Sequence, residues 1–263
     1  MQDVQFLRGT VYGITAATIW GSLYVVSDVV LQAIPPFTLL TLRILLGLFV
    51  MIFIGGMSSR LTLPKWSITL QVLFIGVVGI GLSLGTQFVG TDKSTAVNGA
   101  LVTSASPAFI VLFAVLLLRE ELTVFRILSI VLASVGVLVI LDPTQANFSS
   151  DTFVGNVFLA LAALTWGLYS VMIRRVSIRT ALDTNSVTMI AFVGGLFISV
   201  PASLIELQSR AIATIDAWTI LGVLYLGIVS TAGALWLWNR AFALVPATIA
   251  SLFFFAQPLS GAL

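Results

Sequence analysis

Few residues in this chain have chemistry to offer, and the missing types narrow it further. Neither cysteine nor histidine occurs in its 263 residues. That excludes disulfides, thiolate nucleophiles, Cys/His metal sites and imidazole acid–base catalysis. Amides, hydroxyls, aromatic rings and one basic side chain remain inside apolar surroundings. Ser83, Thr86 and Gln87 are spaced i, i+3, i+4, so they share one helical face. Asn98 opens one apolar stretch, Asn239 closes another, and Gln257 lies within a third. A buried amide is costly without a partner. As a set these groups suit a zwitterionic or polar small molecule; singly, each serves equally well as an interhelical hydrogen bond.

The aromatic residues carry a second signal. Trp and Tyr favour membrane interfaces, yet Trp20 and Trp166 fall near mid-span, with Tyr24 and Tyr169 close by. Two readings stand: a cavity wall that stacks on an apolar part of a substrate, or large packing residues set against Gly21 and Gly167. Trp238, near an expected span end, reads as an interface anchor. Pro107 lies about 16 Å deep in its span by helical rise, beside Thr103, Ser104 and Ser106, and Pro258 follows Gln257. A proline at that depth frees a carbonyl that lipid cannot satisfy. The result is either a broken helix lining a substrate path or a packing kink satisfied by Ser/Thr.

Arg43 is the basic residue set well inside a span, about 9 Å from its end by helical rise. Charge at that depth points to function. Asp28, near the same end of the first span, is expected to pair with it. We read the two as a gating or structural charge rather than as a ligand for a substrate carboxylate. No Asp or Glu falls mid-span, so a dedicated proton relay has little support; facilitated diffusion or weak coupling through Asp28 fits better. Nothing in the pattern calls for a cofactor or a metal.

Positioning these groups requires membrane helices. Hydrophobic residues make up 59% and charged residues 8%, against about 25% charged in a soluble domain. The mean hydropathy of +1.14 extends over nearly the whole chain. The expected spans are 9–31, 37–57, 67–90, 96–118, 123–141, 153–173, 185–205, 217–239 and 247–263, with Trp66 and Trp218 as anchors at two span starts. With the N-terminus in the cytoplasm, Arg8, Arg60, Lys65, Arg119, Arg126, Arg174, Arg175, Arg179 and Arg240 lie inside, and Lys93 and Arg210 outside. This asymmetry predicts a multi-pass protein of the cytoplasmic (inner) membrane, N-terminus in. A net charge of +2 gives no support for a nucleic-acid partner; the expected partners are the lipid bilayer and a small-molecule substrate.

The chain also repeats itself. "GTVYGITAATIWGSLYV" (9–25) matches "GNVFLALAALTWGLYSV" (155–171) at an offset of 146, with Trp20-Gly21 on Trp166-Gly167. "LQVLFIGVVG" (70–79) matches "LGVLYLGIVS" (221–230) at an offset of 151, which continues through "TAVNGALVTSASPAFIVL" (95–112) onto "PATIASLFFFAQPLSGAL" (246–263). Leu263 is then the counterpart of Leu112, and the second half lacks about 30 residues present in the first. This reads as an all-α membrane protein with two five-helix units: 1–146, and 147–263, the latter incomplete at its C-terminus. Ten helices are expected in the parent fold and about nine here. Five is odd, so the units are inverted across the membrane, with a substrate site near the midplane.

These features resemble the drug/metabolite transporter superfamily in its EamA-like branch. The resemblance rests on "AATIWGSLYV" and "AALTWGLYSV" opening each half, Arg43, "SPAFIVLFAVLLLREELTVFRILSIVLASVGVLVI" and "LWNRAFALVPATIASLFFFAQPLSGA". It implies ten helices around a central cavity and export of small metabolites, often amino acids. Two departures fall at a cytoplasmic turn: Arg119-Glu120-Glu121 stands where the family has Gly-Glu-Arg or Gly-Glu-Lys, and Ser129 stands on a family glycine. An intramembrane enzyme acting on lipid is the competing class, and the Glu120-Glu121 pair it would use reads instead as a solvated loop. A non-transporting sensor is a third reading, which a dry, closed core would favour.

Overall fold

In the computed structural model, residues 2–57, 64–121, 123–124, 127–128, 131–132, 135, 150–180 and 182–257 are described. Among them there are helices, turns and connectors and no strand. Seven helices are long and apolar enough to cross a membrane. They are α1 (Gln2–Leu31), α2 (Pro36–Met57), α3 (Trp66–Lys93), α4 (Ala96–Leu118), α5 (Asp151–Arg179), α6 (Thr184–Glu206) and α7 (Ala217–Leu244). A short α8 (Ala247–Ala250) opens the ninth expected span and tightens into a 3-10 turn, Ser251–Phe255. Most of the fifth expected span lies outside the described residues, as do Arg60, Arg126, Ser129 and Pro258.

Polar side chains set the helix starts. Thr95, Ser150, Asp183 and Asp216 each accept a backbone N–H from the first turn of α4, α5, α6 and α7; such caps contribute about 1 kcal/mol each. Two further helices are capped from a distance. Glu206, at the end of α6, accepts the Phe37 and Thr38 N–H groups of α2 at 3.0 and 3.1 Å. Glu120, just past α4, accepts those of Ala247 and Thr248 in α8 at 3.2 and 3.4 Å. Glu120 also lies 3.7 Å from Arg174, whose Nη1 donates to the Phe242 and Val245 carbonyls. Glu120 is therefore part of a junction and not a freely solvated loop residue.

Among the described helices, α4 packs heavily on the next one, α5, but the other main contacts join helices distant in the chain. α1 packs on α7, α2 on α6 and α7, and α3 on α5 and α6. The α3–α6 contact depends on missing side chains. A Cβ on Gly76 would sit 2.1 Å from the Ala191 carbonyl oxygen, and one on Gly194 2.2 Å from that of Leu73. Phe49, Phe53, Phe74, Phe197 and Leu204 point outward, as lipid-facing residues do. Trp66 and Trp218 are exposed at helix starts, where the interface expectation put them.

Regular helical bonding is interrupted in α3 and α7, which widen into π segments at Val77–Ser83 and Tyr225–Gly233. Such segments redirect carbonyls and side chains, and they concentrate at functional sites. Ser230, in the second, turns its carbonyl toward α1 and accepts the Trp20 indole N–H at 3.0 Å.

Candidate functional site

A cavity with about 450 Å³ of empty space, open mouth included, lies among α1, α2, α3, α4, α5, α7 and the turn after α8. Six expected binding residues line it: Trp20, Tyr24, Ser83, Gln87, Trp166 and Gln257. Arg43 joins them, with Thr103 and Ser106 from the break in α4. Along α1, α2, α3 and α4 these residues fall in the half nearer Lys93, so the cavity is displaced toward that end.

Aromatic rings form the floor. Trp20 and Trp166 meet edge to face, with centroids 5.2 Å apart and planes at 88°. Trp238 lies 5.3 Å from Trp20 and stands edge-on to Phe254 at 4.8 Å. Such contacts are worth about 0.5–1.5 kcal/mol each beyond area burial. Trp238 is fully buried, and its Nε1 donates to Ser170 Oγ at 3.1 Å. The anchor reading of Trp238 is thus corrected: α7 runs on to Leu244, which places Trp238 well inside the bundle. Tyr169 packs beside Trp166 at 5.0 Å but does not reach the cavity. Its hydroxyl donates to Asn239 Oδ1, and Asn239 Nδ2 donates to Thr188 Oγ1, at 3.0 and 2.9 Å. Tyr169 and Asn239 therefore lie beneath the floor and tie α5, α7 and α6 together.

The polar wall is partly committed. Ser83 donates to the Ala162 carbonyl at 2.8 Å. The Tyr24 hydroxyl pairs with Thr103 Oγ1, which donates in turn to the Gly99 carbonyl. Gln87 lines the cavity, and among the described residues no side-chain hydrogen bond engages its amide; Trp166 Nε1 is buried without a partner. Pro107 is buried behind Ser106 and does not line the cavity. Its ring leaves the Thr103 carbonyl without a helical donor, and Ser106 Oγ supplies one at 2.7 Å. The kink is thus satisfied locally, while Thr103 and Ser106 face the cavity. Asn98 is also displaced from the expected site: it donates to Ser94 Oγ, which bonds Asn156 at the Lys93 end.

Arg43 is 1% exposed. Its Nε donates to Thr231 Oγ1 at 2.6 Å, and its guanidinium carbon lies 5.0 Å from the Phe88 ring centroid. Among the described residues Asp28 forms neither an ion pair nor a hydrogen bond with it. The expected Arg43–Asp28 pair is corrected: α2 turns Arg43 inward onto α7 and α3, while Asp28 remains half-exposed on α1. Ser230, Thr231, Trp238 and Phe254 were not among the residues expected to build the site. Spacing signalled neither Ser230 nor Thr231, because a π segment shifts the register that an i, i+4 reading assumes.

At the Arg174 end, Phe242 packs on Trp238 at 4.7 Å, and the Glu120–Arg174 junction closes over it. At the Lys93 end, Arg210 bridges Asp92 and the Leu31 carbonyl, both at 2.6 Å.

Known proteins place this architecture. An uncharacterized transporter of Archaeoglobus fulgidus is 24% identical over 242 residues, covering 92% of this chain and 82% of that protein. The uncharacterized transporters YyaM and YetK of Bacillus subtilis are 29% identical over 222 residues and 26% over 253. Those alignments cover 81% and 93% of this chain, and 68% and 74% of the relatives. One crystal structure superposes with a TM-score of 0.73 at 22% identity, over 96% of this chain and 86% of its own, a likeness of fold. The model of the EamA-like transporter family matches residues 7–142 and again 153–263. A multi-pass helical bundle around a cavity lined by aromatic and polar side chains, matched over both halves, makes this chain a member of the EamA-like transporter family, a family of transporters rather than enzymes.

Proposed function

We propose that the chain exports small metabolites, with amino acids the best fit, across the cytoplasmic membrane by alternating access. The observation that carries this reading is the composition of the cavity wall. Repeat offsets relate its residues in pairs: Trp20 with Trp166, Leu84 with Leu235, Thr103 with Phe254, and Ser106 with Gln257. A wall contributed reciprocally by two halves is what an inverted repeat builds around a midplane site. The reciprocal packing of α1 on α7 and α3 on α5 supports the same arrangement, as do the π segments at related positions of α3 and α7. In this arrangement Trp20 and Trp166 stack on the apolar part of the substrate. Gln87, Ser83, Tyr24 and Gln257 meet its polar part. Positive-inside orientation puts the Lys93 end outside, so the cavity lies nearer the outer face and the Glu120–Arg174 junction on the cytoplasmic side.

The test is counterflow in proteoliposomes, with labelled tryptophan, methionine, threonine and a nucleoside. We expect saturable exchange of at least one amino acid, reduced at least tenfold in the Trp20→Ala, Trp166→Ala double variant. Exchange of the nucleoside alone would overturn the amino-acid reading. No exchange from a folded protein would overturn export of all four.

A further inference from the structure

The cavity wall has an unbalanced charge. Arg43 is buried, and none of the three ion pairs among the described residues includes it. Among the described residues Nε alone of its donors is engaged, by Thr231, whose own hydroxyl proton goes to the Leu226 carbonyl at 2.6 Å. Nη1 is buried without a partner, and no acceptor among the described residues is recorded for Nη2. Thr231 and the Phe88 ring fix the guanidinium at its Nε edge and face. They leave the two-pronged Nη edge, which matches a carboxylate in geometry, unengaged. Leaving a cation in a low-dielectric site without a counter-charge is strongly unfavourable. A packing role would be better served by an apolar residue of similar volume. Two neutral groups extend the unengaged set: Trp166 Nε1 and the Gln87 amide.

We propose that Arg43 is the anion-binding group of the cavity and that the transported metabolite is a monocarboxylate, its carboxylate against Nη1 and Nη2 and its apolar part over Trp20, Trp166 and Phe254. The inference rests on the transporter reading of this cavity and revises the gating role expected for Arg43. The described wall holds one cation and no acid. A single negative charge therefore balances it, whereas a phosphate dianion would not. Nothing charged in the described wall waits for a substrate ammonium. Selectivity thus falls on the carboxylate, and the amino group is dispensable.

Competition in the counterflow assay tests this with three indole compounds: tryptophan, indole-3-propionate, which lacks the amine, and tryptamine, which lacks the carboxylate. We expect indole-3-propionate to compete within about threefold of tryptophan, and tryptamine at least tenfold more weakly. Arg43→Gln should remove the preference for the carboxylate, and Arg43→Lys should keep part of it. Should either variant fail to fold, the wild-type comparison decides alone. Equal competition by tryptamine would overturn the inference and leave the transporter reading intact. Exchange of none of the three, and of no metabolite in the wider panel, would overturn both.

Discussion

Arg119 ends α4 with φ 57°, the left-handed region that glycine enters freely and other residues enter at a cost of about 1–2 kcal/mol. It stands where the resemblance expects glycine, so the departure in sequence is also a departure in backbone comfort. The turn persists because Glu120, the next residue, is held by the α8 N–H groups and Arg174. Arg119→Gly should therefore stabilise the protein by roughly 0.5–1 kcal/mol, the strain removed less the extra chain entropy of glycine. Thermal unfolding in detergent would register this as a raised midpoint; a lowered one would show that the Arg119 side chain contributes more than its backbone costs. Trp20 and Trp166 were legible because a matched Trp-Gly pair recurs at a constant offset. The direction of Arg43 was not legible. Depth along a helix follows from counting residues, but azimuth depends on which neighbours pack there, and Arg43 bonds to a residue 188 positions away. Tyr169 and Asn239 were found as polar groups in apolar surroundings, yet they satisfy one another instead of a ligand.

At the scale of elements, the spans were readable from apolar runs, and their interruptions were not. No residue type marks Val77–Ser83 or Tyr225–Gly233 as π, since that register arises from packing against other helices. Helix starts are clearer. Asp216 caps α7 by accepting the Thr219 hydroxyl and N–H at 2.6 and 2.7 Å. The hydroxyl first, and then the N–H, hold the Asp216 carboxyl below the usual carboxylate range. A folded pKa below the unfolded value, about 3.9, means the stabilisation is complete above that pH and lost as pH falls through the lower folded value. Asp216→Asn keeps a capping oxygen but cannot titrate. The difference in unfolding midpoint between wild type and variant should be constant at neutral pH and shrink below about pH 4. A difference that does not change between pH 7 and pH 3 would remove Asp216 from the acid response.

For the whole molecule, the positive-inside count predicts which ends face which compartment, and the absence of cysteine makes the test clean. Ser209 is exposed at the Lys93 end, and Ile178 is exposed at the Arg174 end. In intact cells a membrane-impermeant maleimide should label Ser209→Cys and leave Ile178→Cys unlabelled until the cells are opened. The opposite pattern would invert the orientation and with it the export direction. The bundle was foreseeable as helical and multi-pass, but its pairing was not, because most of the described helices pack chiefly on partners distant in the chain.

That pairing bears on how the protein is made. α2 is synthesised long before α7, which carries Thr231. At about 5–20 residues per second, the intervening 188 residues take about 10–40 s. During that interval Arg43 has left the ribosome with no Thr231 to bond. A mid-helix arginine costs about 2.5–3.5 kcal/mol on insertion scales. α2 offsets this by being the most apolar of the seven spans. Biogenesis therefore favours early helices that linger beside the insertion machinery until the second half arrives, and α2 is built to survive the wait.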